Sequence, residues 1–197
     1  NLKGLDWLLG ELEKPGSSGD RPKFGKATTS PKLETSLAPA FGQALSDGLL
    51  VPGNADWREP PITVECRAKL KPDGGYHILL ASDTKASAAH WEIFAMKGDG
   101  TLTAYLPGAT PDHVRSDFVI ADGKWHSVSM KYAPDRVRLR ADGKVVADQE
   151  IELKPSRKVV PGGLGIGRLV EGRIGMRGAI DEVRIRAGIV SGLDAVS

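Results

Sequence analysis

The feature that most constrains this chain is a change of period. From Gln43 onward, apolar and polar residues alternate in short runs separated by turns that carry glycine and aspartate. A period of two sends successive side chains to opposite faces of a strand. The last third shows this best. In "DGKWHSVSMKY" (Asp122 to Tyr132), Val128, Met130 and Tyr132 alternate with Ser129 and Lys131. In "DRVRLRADGKVVAD" (Asp135 to Asp148), Val137 and Leu139 alternate with Arg138 and Arg140. In "GAIDEVRIRAGIVS" (Gly178 to Ser191), Val183 and Ile185 alternate with Arg184 and Arg186. Each run predicts a strand with one face in a core and the other in water.

Turn chemistry decides how such runs are joined. Gly98-Asp99-Gly100, Asp122-Gly123 and Asp142-Gly143 supply the positive φ angles that tight hairpins require. Turns recur about every eight to twelve residues, the spacing of a sandwich or barrel. The predicted strands are Ala44 to Val51, Thr63 to Leu70, Tyr76 to Ser82, Trp91 to Met96, Thr101 to Leu106, Val114 to Ile120, Trp125 to Tyr132, Arg136 to Ala141, Lys144 to Glu152, Leu164 to Arg168 and Ala179 to Arg186. With no long helix among them, they predict an all-β fold: a two-sheet antiparallel β-sandwich of the jelly-roll kind.

The chain before this region behaves differently. Leu2, Leu5, Leu8, Leu9 and Leu12 fall at helical spacing beside Trp7, which predicts a short N-terminal amphipathic helix. Lys14 to Pro39 is rich in Pro, Gly, Ser, Thr and Lys without a sustained period and is expected to be an extended connection. The expected division is therefore 1–40, a helix and connection packed on the sandwich, and 41–197, the sandwich itself. The chain opens on Asn1 rather than Met, as expected of a segment preceded by a leader, another domain or a tag.

Composition narrows the partners. The 197 residues suit a single sandwich domain. With 27 basic against 25 acidic residues and a net charge of +2, no global field draws the protein to nucleic acid or anionic lipid. No apolar run suits membrane insertion. Cys66 is the only cysteine, which excludes an intrachain disulfide and a thiolate zinc site. It alternates with Glu65 and Arg67 and is expected to face inward with Val64 and Ala68.

Several constellations invite a chemical reading. Asp181 and Glu182 are adjacent, and neighbours on a regular strand point to opposite faces, so they cannot both flank one glycosidic bond. Asp181 is instead expected to accept hydrogen bonds where the last strand starts. Asp148, Glu150 and Glu152 would share one face of a strand at roughly 7 Å steps, a spacing open to acid/base work in a glycoside hydrolase or lyase. The basic strand Arg136 to Ala141 offers the simpler account of cross-strand charge pairing. There is no Gly-x-Ser-x-Gly elbow, and His77, His90, His113 and His126 lack metal-ligand spacing. Gly162 to Gly167 has neither a following helix nor the Lys-Ser/Thr pair of a phosphate loop. Arg138, Arg140, Arg184 and Arg186 could form a stripe for a sulfated glycan, but the interleaved Glu and Asp favour a solvated, charge-paired face.

Sugar recognition calls for an exposed aromatic ring beside polar groups that fix hydroxyls. Trp57, Tyr76, His77, Tyr105 and His113 stand at strand ends or in loops and are the ligand-binding candidates. Trp57, in "NADWREPP", comes first, with a loop-to-core anchor as its competing role.

Taken in order, "FGQALSDG" (Phe41 to Gly48), "ITVECRAKLKP" (Ile62 to Pro72), "HWEIFAMKGDGTLTAYL" (His90 to Leu106) and the three C-terminal segments resemble the laminin G-like modules of the concanavalin A-like lectin/glucanase superfamily. The likeness runs from about Phe41 to Ser191. Asp47 stands where the family shows an aromatic, and Cys66 where it often has tryptophan. The resemblance implies a non-catalytic module that binds glycan or protein, or packs on a catalytic neighbour such as a sialidase-like glycosidase. It also implies an exported bacterial protein that is secreted, periplasmic or at the cell surface. Trp91 and Trp125 match family core positions. Some such modules hold one calcium ion, and Asp47, Asn54 and Asp56, with Asp83, Asp112 and Asp117, are oxygen ligands of the right hardness. No other cofactor is implied.

Overall fold

The computed structural model describes residues 40–41, 48–155 and 158–189. The expected N-terminal helix and its connection lie outside them, as does Asp47. The strands are β1 (Ala40–Phe41), β2 (Leu49–Val51), β3 (Ile62–Leu70), β4 (His77–Ser82), β5 (Trp91–Ala95), β6 (Thr101–Tyr105) and β7 (Ala109–Thr110). They continue as β8 (His113–Val119), β9 (Trp125–Tyr132), β10 (Arg136–Ala141), β11 (Lys144–Glu150), β12 (Glu152–Leu153), β13 (Leu164–Ile166) and β14 (Gly178–Ala187).

Two six-stranded antiparallel sheets face each other, in the orders β1-β14-β3-β9-β10-β11 and β2-β13-β4-β5-β6-β8. A ribbon of β12 and β7 lies apart from both. The alternating residues meet between the sheets. Val64, Cys66, Ala68, Val128, Met130, Tyr132, Val137 and Leu139 from the first sheet share one buried cluster with Leu80, Trp91, Ile93, Ala95, Leu102 and Ala104 from the second. Each large apolar side chain so buried contributes about 1.5–3 kcal/mol. Burial, with the charge of Glu65 adding to it, pushes the Cys66 thiol up to about 12.

The structure corrects the regular pattern in three places. The strand expected from Lys144 to Glu152 stops at Glu150. Ile151 turns inward to 7% exposure, its N–H donates to the Asp135 carbonyl at 2.9 Å, and Glu152 pairs with Thr110 on a separate ribbon. In β14 the register slips between Asp181 and Arg184. Glu182 sits there at φ 51°, and its N–H donates to Asp181 Oδ1 at 2.8 Å, which is the kind of local bond expected of Asp181. The third correction concerns Trp125, which is only half-buried and lies on the outside under the Arg67 guanidinium, 5.9 Å from ring centroid to Cζ. At the start of β14, Gly178 has φ 146°, and a Cβ there would collide with the Lys69 carbonyl.

The turn at Asp122-Gly123 closes no hairpin, because it carries the chain from β8 in one sheet to β9 in the other, and His126 clamps this crossover to the β10–β11 hairpin turn. Its Nδ1 lies 2.7 Å from Asp142 Oδ2 and its Nε2 3.0 Å from Asp122 Oδ1. Burial pulls the imidazole pKa down, but the two carboxylates outweigh it and the value is raised. Asp122 is driven the other way, to about 2: burial opposes the shift, while His126 and the Lys124 N–H produce it. A raised histidine contributes stability in full below its unfolded value of about 6.5, and this contribution fades as pH rises through the folded value. His126→Asn should therefore cost about 1–2 kcal/mol at pH 6, the low figure reflecting the solvent-screened Asp142. The loss should be smaller at pH 8.5, read from urea unfolding at both values. An equal loss at the two would mean that the ring acts by packing alone.

Candidate functional site

The outer face of the second sheet carries what the core does not use. In β5, Trp91, Ile93 and Ala95 point inward, so Glu92 and Phe94 point out. The strand register aligns these with their neighbours in two rows. Ala81, Glu92, Tyr105 and His113 form one row across β4, β5, β6 and β8. Ile78, Phe94, Thr103 and Arg115 form the next. Ile78, Ala81, Phe94 and Leu169 make a second buried cluster on this side, with Met96, Tyr105 and Ile174 packed against it. Above it opens a cavity of about 410 Å³, edged by Tyr76, Lys85, Asp112, His113 and Arg115.

The rings are in mutual contact. Tyr105 lies 4.6 Å from His113 and 5.8 Å from His90 between centroids, and Tyr76 lies 6.0 Å from Phe94. Lys85 Nζ sits 5.3 Å from the Tyr105 centroid and donates to Glu92 Oε1 at 3.0 Å. Burial alone would raise the Glu92 pKa; hydrogen bonding and charge from His90 and Lys85 hold it below the ordinary value instead. Tyr105 moves up, through burial and the nearby charge of Asp112.

Of the five ligand candidates, the structure brings Tyr76, Tyr105 and His113 together at this cavity. It removes His77, which is 1% exposed: its Nδ1 accepts from the Arg177 N–H at 3.1 Å, leaving Nε2 to face Asp73 Oδ1 at 3.0 Å. That ring ties the loop before β4 to the approach to β14. Trp57 is removed too, at 3% exposed, because a sugar needs an open ring face.

The carboxylates considered for catalysis lie elsewhere. Asp148 and Glu150 are exposed on the edge strand β11, bound by Arg136 and Arg138 at 2.7–3.1 Å. Among the calcium candidates, Asn54 Oδ1 is occupied by the Asp56 N–H, Asp83 by Arg58 and the Gly162 N–H, and Asp112 by His113. Among the described residues, no three His, Cys, Asp or Glu side chains converge.

The arginine stripe is charge-paired. Arg186 meets Glu65 at 2.7 Å, Arg138 meets Asp148 at 2.7 Å, and Arg184 lies 3.7 Å from Glu182. Beside Glu65, Arg67, Ser127, Ser129 and Arg184 is a second cavity of about 350 Å³ whose lining holds no aromatic ring.

Fold and site together define an all-β lectin-type sandwich. The chain belongs to the concanavalin A-like lectin/glucanases superfamily, its residues 42–191 matching the laminin G-like family model. No curated protein matches it. Among solved structures it is similar to the carbohydrate-binding module 40 of the Ruminococcus gnavus intramolecular trans-sialidase. That likeness has 14% identity and a TM-score of 0.53, covering 74% of this chain and 92% of that one. The same module bound to α2,3-sialyllactose gives 14%, 0.51, 75% and 93%. A leech intramolecular trans-sialidase gives 14% identity, a TM-score of 0.57 and 78% of this chain, against 25% of that one. At this identity the likeness is one of fold. No helix among the described residues is long and apolar enough to cross a membrane.

Trp57 serves the site from beneath. It closes a single 3-10 turn, Ala55–Trp57, capped by Asn54, and its carbonyl accepts from Trp91 Nε1 at 3.0 Å, which docks the long loop on β5. Trp57→Ala should cost about 3–5 kcal/mol of stability and lower the melting temperature of the whole domain, as read by calorimetry. A variant that melts like wild type would contradict the anchoring role.

Proposed function

We propose that this chain is a non-catalytic glycan-binding module whose ligand lies on the outer face of the second sheet. The observation that carries the reading is the coincidence of Tyr76, Tyr105 and His113 around one cavity, over a floor that includes Phe94, with Lys85, Asp112 and Arg115 at its edge. Aromatic faces take the apolar side of a sugar ring, and charged or amide groups fix its hydroxyls. The superfamily and the sialyllactose complexes of a similarly folded module support it. On the same reading the module is exported and acts beside a catalytic neighbour in a glycan-active protein.

Hydrolysis by this face is disfavoured on physical grounds. A glycosidase needs one carboxyl group whose pKa is raised to act as general acid. Glu92, the carboxylate of the cavity floor, is pulled the opposite way and held by Lys85. Asp112 is lowered too, chiefly by its bond to His113.

A glycan array followed by calorimetric titration tests the proposal. Tyr105→Ala should weaken binding about tenfold or more, as expected for loss of a stacking ring, while leaving the melting temperature within a few degrees. If the wild-type chain binds no glycan on the array, the reading fails and a protein-packing role takes its place.

A further inference from the structure

Glu92, 2% exposed, faces two nitrogen groups, one on each carboxylate oxygen. Its Oε1 accepts from Lys85 Nζ at 3.0 Å, and its Oε2 faces His90 Nε2 at 3.6 Å. Neither of these last two buried atoms has a hydrogen-bond partner. His90 Nδ1 lies 3.1 Å from the Asp83 carbonyl oxygen, which can only accept, so Nδ1 carries a hydrogen. A neutral ring would then aim the Nε2 lone pair at a carboxylate lone pair inside the fold, an arrangement that low dielectric penalises. One proton therefore lies between His90 and Glu92.

The Glu92 carboxylate and that proton sum to zero, and the Lys85 ammonium adds one positive charge. His90 and Glu92 are buried, so the excess emerges at Lys85, whose side chain is 40% exposed. An ammonium has three donors, and Glu92 takes one of them. Arg115, opposite Thr103 in the next row, lines the same cavity. Asp112, the cavity's other carboxylate, is joined to His113 Nδ1 at 2.8 Å.

Building on the glycan-binding reading, we infer that the ligand is an acidic sugar and that Lys85 reads its carboxylate or sulfate while Tyr105 supports the ring. Glu92 and His90 are positioning residues: they hold the Lys85 ammonium beside Tyr105 without consuming its charge.

The test titrates the whole chain with uronic-acid, sialylated and sulfated oligosaccharides, each beside a neutral partner made by carboxyl reduction or desulfation. Wild type should prefer at least one acidic form by about tenfold or more, the value of a charge-assisted hydrogen bond, with the preference shrinking as salt rises. Lys85→Met should lower the affinity for the acidic form at least about tenfold more than that for its neutral partner. Lys85→Gln, which keeps an uncharged donor, serves as a second variant. Which acidic arm binds identifies the source of the acid group. Equal affinity for acidic and neutral forms overturns the inference and leaves the glycan reading standing, as does an equal loss for both in Lys85→Met. Binding in no arm overturns both.

Discussion

Everything on the outer face of the second sheet depends on the pleat of β5. One strand supplies Trp91, Ile93 and Ala95 to the interior and Glu92 and Phe94 to the opposite side, so core and cavity are built from the same five residues. Because neighbouring strands are locked in register, the outward residues fall into rows, and Tyr105 is opposite Glu92 by hydrogen bonding of the backbone rather than by contact of the side chains. A slip of one residue would exchange floor and core. The inter-sheet packing that resists such a slip is thus what places the cavity-lining groups.

The loops above the sheet are held with similar economy. Asp83, at φ 58°, binds Arg58 and the Gly162 N–H through its two oxygens, and its carbonyl accepts from His90. One residue in a left-handed conformation so connects the Trp57 loop, the approach to β13 and the ring that faces Glu92. The Lys85 N–H meets Glu171 at 3.2 Å, and Ser87 Oγ accepts from Val160 and Ala89 N–H groups. The segment that delivers Lys85 is therefore tethered along its length, and on the proposed function this lowers the ordering cost of binding.

How much of this was legible in the sequence varies with the cause. β9 and β10 run as expected from Trp125 to Tyr132 and Arg136 to Ala141, because strict alternation ends there at turn residues. The break after Glu150 was hidden, since Ile151 continues the alternation and only its tertiary bond to Asp135 turns it inward. The bulge at Glu182 carries no glycine to announce its positive φ. At the site, Tyr105 and His113 stood out as rings at strand ends, but their pairing needed the register. Glu92 was missed although "WEIFAM" already showed a carboxylate sharing one side with Phe94 and Met96, a mixture that a purely solvated face would not carry. Trp57 and His77 misled for the opposite reason: one read as loop and the other as a strand end, and burial came from distant partners, Trp91 and Arg177. Lys85 had no local signal at all.

The sheltered thiol of Cys66 has a chemical consequence of its own. A cysteine with a pKa of about 12, 2% exposed, offers almost no thiolate, and thiolate is the species that enters disulfide exchange. In an oxidising compartment the odd cysteine is therefore silent while the sheets are together and becomes reactive once they part. It acts as a chemical seal: any mixed disulfide found at Cys66 would record that this particular molecule had once opened.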